Sequence, residues 1–193
     1  LTPGVIWVGA DDGTVQVTKN NGAAWVDVTE GLAKAGGPRE RWVSRVFASS
    51  HQPGTAYVAK NGYRHDDAAP YLFRTSDFGA TWTSIGRGLP DQPINVVWQD
   101  RRNPGLLFVG NDKGVWVSID DGARWVRMKG SMPSVPVHDL LVHPRERDLV
   151  VGTYGRGLYI TSVSALQQLS ERVLAEDAHV FDIDAESVVH TSG

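Results

Sequence analysis

The sequence predicts an all-β fold assembled from repeated sheets of short strands, and three observations predict it. A turn pattern, Ser/Thr-x-Asp/Asn-x-Gly-x-x-Trp, occurs three times. The segments flanking it repeat in the same order. Strand punctuation is dense, with 21 Gly, 10 Pro and 7 Trp against 2 Met, while helix signals are scarce before residue 164.

The three turns carry Thr18, Asn20, Gly22 and Trp25, then Thr75, Asp77, Gly79 and Trp82, then Ser118, Asp120, Gly122 and Trp125. Their glycines are separated by 57 and 43 residues. Pro93–Gly105 and the apolar run after it match Pro136–Asp148 and the run after that. Trp42–Gly54 opens a third copy, lengthened by eight residues in the stretch Tyr63–Pro70. Each unit reads as four short strands, and a period near 43 residues with four strands is the signature of β-propeller blades.

Counting strands gives three, four, four and three, or about three and a half blades, which is half of a larger propeller. The first unit lacks its inner strand. Blades leave apolar faces that must be covered, so a homo-oligomer or a missing propeller half is expected as partner. The blades occupy 1–163, and 164–193 holds a C-terminal amphipathic helix over Ser164–Glu176, a short strand at Val180–Ile183 and a tail. The start, Leu1-Thr2-Pro3-Gly4, reads as a cut through a longer protein or a processed end.

The turn has a local mechanism. Its Asp or Asn accepts backbone N–H groups, its hydroxyl caps the turn, and its Gly takes a conformation closed to side chains. Trp25, Trp82 and Trp125, at the start of each fourth strand, are expected to pack between blades. Turn chemistry accounts for the recurring carboxylates, so they are not read as catalysts.

These turns, with the run Phe108–Ser118 and the turn Val151–Gly157, resemble the BNR/Asp-box superfamily of sialidases, sortilin-type receptors, xyloglucanases and photosystem II assembly-factor-like proteins. The likeness is greatest to bacterial members labelled glycosyl hydrolase or sortilin-like. The resemblance implies that the Asp-box turns lie opposite the ligand site. The working face then consists of the turns between second and third strands and the connections entering each inner strand. Ser44, Asn95 and His138 hold one repeat position there and should be near neighbours.

That face supplies the candidate residues. His138 with Asp139, or His65 with an Asp, carries general-base chemistry. Arg64, Tyr154, Arg156, Ser44 and Asn95 are candidate ligand contacts. Asp11, Asp12, Asp66, Asp67 and Asp112 are candidate oxygen ligands for a hard cation such as Ca²⁺. The Tyr63–Pro70 insertion, which the repeat does not require, is the most informative stretch.

Composition narrows the function classes. A net charge of −3 provides no basic field for nucleic acid, and no apolar run approaches the roughly 20 residues of a membrane helix. With no cysteine there is neither a disulfide framework nor a thiolate metal site. A soluble protein of the bacterial cytoplasm, or an exported one, is consistent with this. The leading reading is a module that binds a glycan, peptide, small molecule or protein. The alternative is a hydrolase of glycosidase or Ca²⁺-dependent lactonase type. Sialidase chemistry is disfavoured, since the chain has no Arg-Ile-Pro and no assembled arginine triad.

Overall fold

Short runs of alternating apolar residues, closed off by Gly, Pro, Asp and Asn, pair with their sequence neighbours because antiparallel pairing needs only a tight turn. The structure, a computed structural model, describes residues 2–130 and 132–182. Its first sheet contains β1 (Ile6–Gly9), β2 (Val15–Thr18) and β3 (Val26–Asp27). The second contains β4 (Trp42–Ala48), β5 (Ala56–Gly62), β6 (Asp67–Thr75) and β7 (Thr83–Ser84). The third contains β8 (Ile94–Gln99), β9 (Leu107–Asn111), β10 (Gly114–Ser118) and β11 (Val126–Arg127). The fourth contains β12 (Val137–Val142), β13 (Asp148–Thr153) and β14 (Leu158–Ser162). Among the described residues the strand count of three, four, four and three is the expected one.

Period-2 alternation gives each inner sheet two apolar faces, and neighbouring sheets bury them together. Val15, Val17 and Leu32 meet Val58, Phe73 and Trp82 between the first and second sheets. Tyr57 and Leu72 meet Val97, Leu107 and Trp125 between the second and third. Val96 and Phe108 meet Leu140, Leu149 and Val151 between the third and fourth. The end faces stay open: Ile6 and Val8 on the first sheet and Leu158 and Ile160 on the fourth are exposed.

The repeated turn works as its chemistry requires. Thr18, Thr75 and Ser118 donate their hydroxyls to Asn20, Asp77 and Asp120, each at 2.8 Å. Those side chains accept the N–H of Ala24, Thr81 and Arg124. The residue before each glycine, Asn21, Phe78 or Asp121, and the glycine itself all have positive φ. Two successive left-handed residues are strained for most side chains, and the hydroxyl and carboxylate bonds hold them there.

Three expectations change. A helix, α1 (Thr29–Lys34), follows β3, where few helix signals stand in the sequence. It forms because buried Leu32 seats in the interface, and because Gly31 lets the Trp82 ring close in: a Cβ there would lie 2.9 Å from the ring. The C-terminal helix is broken into α2 (Ser164–Gln168) and α3 (Glu171–Leu174). Leu169 is extended, its carbonyl accepts from Asn103 at 2.9 Å, and the Ser170 hydroxyl caps α3. Val180–Asp182 is irregular rather than strand: the Gln168 amide takes both the N–H and the carbonyl of Asp182, which a ladder would need. Ile183 and the expected tail lie outside the described residues.

Candidate functional site

The inner strands β4, β8 and β12 share an irregularity that builds the site. Pairing with the next strand slips by one residue between Val43 and Arg45, between Ile94 and Val96, and between Val137 and Asp139. Ser44, Asn95 and His138 are the extra residues. A β-bulge re-aims the side chain it carries, and here three are re-aimed into one cleft of about 470 Å³. The expected convergence of these three positions is observed.

Hydrogen bonds then run from blade to blade. Ser44 Oγ donates to the Ile94 carbonyl at 2.7 Å, and Asn95 Nδ2 donates to the Val137 carbonyl at 3.0 Å. Asn95 Nδ2 also reaches Asp112 Oδ1 at 3.0 Å, while its Oδ1 accepts from Asn61 Nδ2 at 2.8 Å. Asn61 Oδ1 in turn accepts the Tyr63 N–H at 2.9 Å. Since a carbonyl and a carboxylate only accept, the Asn95 amide is fixed in orientation, and the Asn61 amide follows from it.

Aromatic rings surround this relay. His138 stacks on Tyr154 with centroids 5.3 Å apart and planes 26° apart. Arg64 lies over Trp42, 4.6 Å from its centroid. Tyr63 and Tyr154 are 69% and 72% exposed, although they line the cleft.

The other candidates disperse. Asp139 is held by Arg45, in an ion pair between β12 and β4, and by the Leu140 N–H. His65 and Arg64 lie in an exposed 3₁₀ turn, Tyr63–His65, and Asp66 follows it in the left-handed region with φ 52°. The rest of the insertion is strand, because β6 starts at Asp67. Asp67 pairs with Arg41 at 3.0 Å and accepts from the Tyr71 hydroxyl and the Ala69 N–H. Burial pushes this carboxyl up, but those bonds outweigh it and hold its pKa below the ordinary value. Burial, with Asp67 beside it, raises Tyr71.

Asp12 accepts the Thr14 N–H at 2.8 Å, which lowers its pKa, and lies with Asp11 on the first sheet's hairpin. Arg156 is exposed on its turn between Gly155 and Gly157. Among the described residues no three His, Asp or Glu side chains gather closely enough to hold a metal ion. Asp66, Asp67 and Asp112 do line a second depression of about 450 Å³, which shares Tyr63 and Asp112 with the first.

Sequence reasoning missed Trp42, Asn61 and Pro136 as cleft residues. Trp42 precedes Ser44 by two positions on β4, so strand alternation offered a signal. Asn61 offered none, because its role depends on the Asn95 amide of the next blade.

No family model matches the chain, and no curated protein matches it by sequence. Among solved structures it is similar to the GH74 xyloglucanase from Xanthomonas campestris, with TM-score 0.62 and 15% identity over 86% of this chain and 28% of that one. The GH74 enzyme from Niastella koreensis gives TM-score 0.64 and 14% identity over 83% and 27%. YCF48 bound to D1 peptide gives 0.53 and 16% over 82% and 52%. These chains share a β-propeller fold. The fold here is that of propeller blades. The chain spans under a third of either GH74 enzyme and about half of YCF48. At such identities the likeness extends to fold and not to activity.

Proposed function

We propose that the chain is an Asp-box propeller segment whose bulge-lined cleft binds a saccharide without cleaving it. The observation that carries this is the cleft's composition. Two highly exposed tyrosines flank a relay of neutral amides that ends in one carboxylate. Ring faces and amides suit a ligand with apolar ring faces and hydroxyl edges, which is sugar chemistry. A glycosidase needs two carboxyl groups facing one bond. Asp112 is held by Asn95, and Asp139 is taken by Arg45. GH74 xyloglucanases among the similar folds agree with a sugar ligand, whereas YCF48 with D1 peptide makes a peptide the main alternative outcome.

Titration of neutral oligosaccharides by calorimetry tests the reading. Tyr63→Ala and Tyr154→Ala are each expected to weaken binding about fivefold, from roughly 1 kcal/mol per ring, with the melting temperature unchanged. Saturable binding to peptides and none to sugars would overturn it.

A hydrolase reading rests on the second depression, which Asp66, Asp67 and Asp112 line. Turnover on a glycoside and lactone panel, lost in Asp112→Asn, would establish it. The open apolar end faces also support association with further blades or a second copy. A solution mass above 21.0 kDa is the expected result.

A further inference from the structure

Two of the three inter-sheet interfaces are closed by a tryptophan from the fourth strand of the later sheet. Trp82, just before β7, is 8% exposed and packs on the first sheet against Trp7, with centroids 6.0 Å apart. Trp125, just before β11, is also 8% exposed and donates its indole N–H to the Ile85 carbonyl at 2.7 Å. The seat for each ring is marked by one residue on the earlier sheet. That residue stands three positions after its own Trp and donates its N–H to the third strand. Val28 donates to Val15, Ile85 to Leu72 and Met128 to Val115, each at 2.9 Å.

Met128 therefore marks a third seat, and nothing described in the fourth sheet fills it. Among the described residues that sheet ends at β14, which pairs with β13 alone and leaves one edge free. The chain then turns into α2 without a copy of the repeated turn. At the seat lies a cavity of about 140 Å³, between Val115, Met128 and Met132 on one side and Leu149, Val151 and Tyr159 on the other. An apolar cavity of roughly 150 Å³ is large enough to bind an aromatic ring such as benzene.

We propose that this slot and the free edge of β14 form a docking site for an extended, tryptophan-bearing segment of a partner polypeptide, added as a fourth strand. Both filled seats hold a buried indole ring, and in one of them the indole N–H donates to the marker carbonyl. Its indole enters the slot with the N–H directed at the Met128 carbonyl, as Trp125 is at Ile85. The next two residues pair with Ile160 and then Tyr159, as Val126 and Arg127 pair with Val117 and Trp116. Main-chain pairing provides affinity and the single aromatic pocket provides selectivity, the logic of strand addition.

The test uses the full chain and a fluorescein-labelled peptide with the sequence of residues 118–127, followed by fluorescence anisotropy. Saturable binding is expected, weakened at least tenfold when the peptide's Trp is replaced by Ala, as for a buried interfacial Trp. Met132→Glu, a loop substitution that spares every strand, should weaken it similarly. Hydrogen exchange of bound chain should slow at Ile160, whose N–H faces the free edge because the odd-numbered positions of β14 face β13. Absence of binding, equal binding of the Trp-less peptide, or unprotected β14 amides would overturn the proposal. So would a dimer of the chain that already protects β14 and that peptide does not displace.

Discussion

The two ends of the sheets use the same residue types for opposite purposes. At the end carrying the repeated turns, most acids are consumed locally: Asp77 and Asp120 cap their own hairpins, while Asp121 reaches the preceding sheet, accepting from Tyr57 and pairing with Arg74. At the cleft end the repeat position is occupied by Ser44, Asn95 and His138 in turn, and the bonds of Ser44 and Asn95 cross from one blade to the next. One end is invariant because the hairpin dictates it. The other varies because a bulge constrains only the backbone, leaving the side chain free to serve a ligand. Substitutions at the turn end should therefore cost stability, and those at the cleft end should cost binding.

Trp125→Ala should produce the largest effect, about 3–5 kcal/mol, from the cavity and the lost bond to Ile85. Trp25→Ala should cost only about 1 kcal/mol in this chain, because Trp25 is 42% exposed and meets no earlier sheet among the described residues. Urea denaturation of both variants measures the ratio. Equal losses would mean that the turn tryptophans act within their own sheet rather than between sheets.

The cleft end contains one buried charge that breaks the pattern. Lys60 is fully buried on β5, donates to the Pro38 carbonyl at 2.7 Å, and burial lowers its pKa from 10.5 to about 8. Between those values the unfolded chain binds a proton that the fold does not, so stability rises as pH increases from 8 to 10.5. The gain should be roughly 2 kcal/mol and absent in Lys60→Met, as read by melting curves across that range.

Acid should reveal the turn end. Hydrogen bonds from Thr81 hold Asp77 below 3.8, while for Asp120 those from Arg124 and Ser118 outweigh the upward push of burial. Both carboxyls have depressed folded values, so their contribution is present above the unfolded value of 3.8 and is lost as pH falls through the lower folded ones. Asn20 makes the same turn bonds without a charge. Asp77→Asn with Asp120→Asn should then lose under about 1 kcal/mol at pH 7 and flatten the acid limb of the melting profile.

Blade boundaries, strand count and the convergence of Ser44, Asn95 and His138 were legible in the sequence because they follow from local turn chemistry and from a period. What was not legible depends on contacts the period does not encode. Breaking of the C-terminal helix at Leu169 needs Asn103, far away in sequence. The pairing of Asp139 with Arg45 rather than with His138 needs two strands from different sheets. The dispersal of the acidic rim follows from Asp67 being claimed by Arg41 and Tyr71 within its own sheet.

The smallest effect should come from that Arg45–Asp139 pair, which links the inner strands β4 and β12. The side chains are 35% and 67% exposed, so water screens the attraction and ordering two side chains offsets much of it. A double-mutant cycle with Arg45→Ala and Asp139→Ala should return a coupling of under about 1 kcal/mol, shrinking as salt is added. Asp139→Asn alone should leave saccharide binding within about twofold of the parent if the pair only braces the rim. A coupling several times larger would mean that the cleft end, like the turn end, is held by its charges, and the contrast between the two ends would fail at the place where it should be clearest.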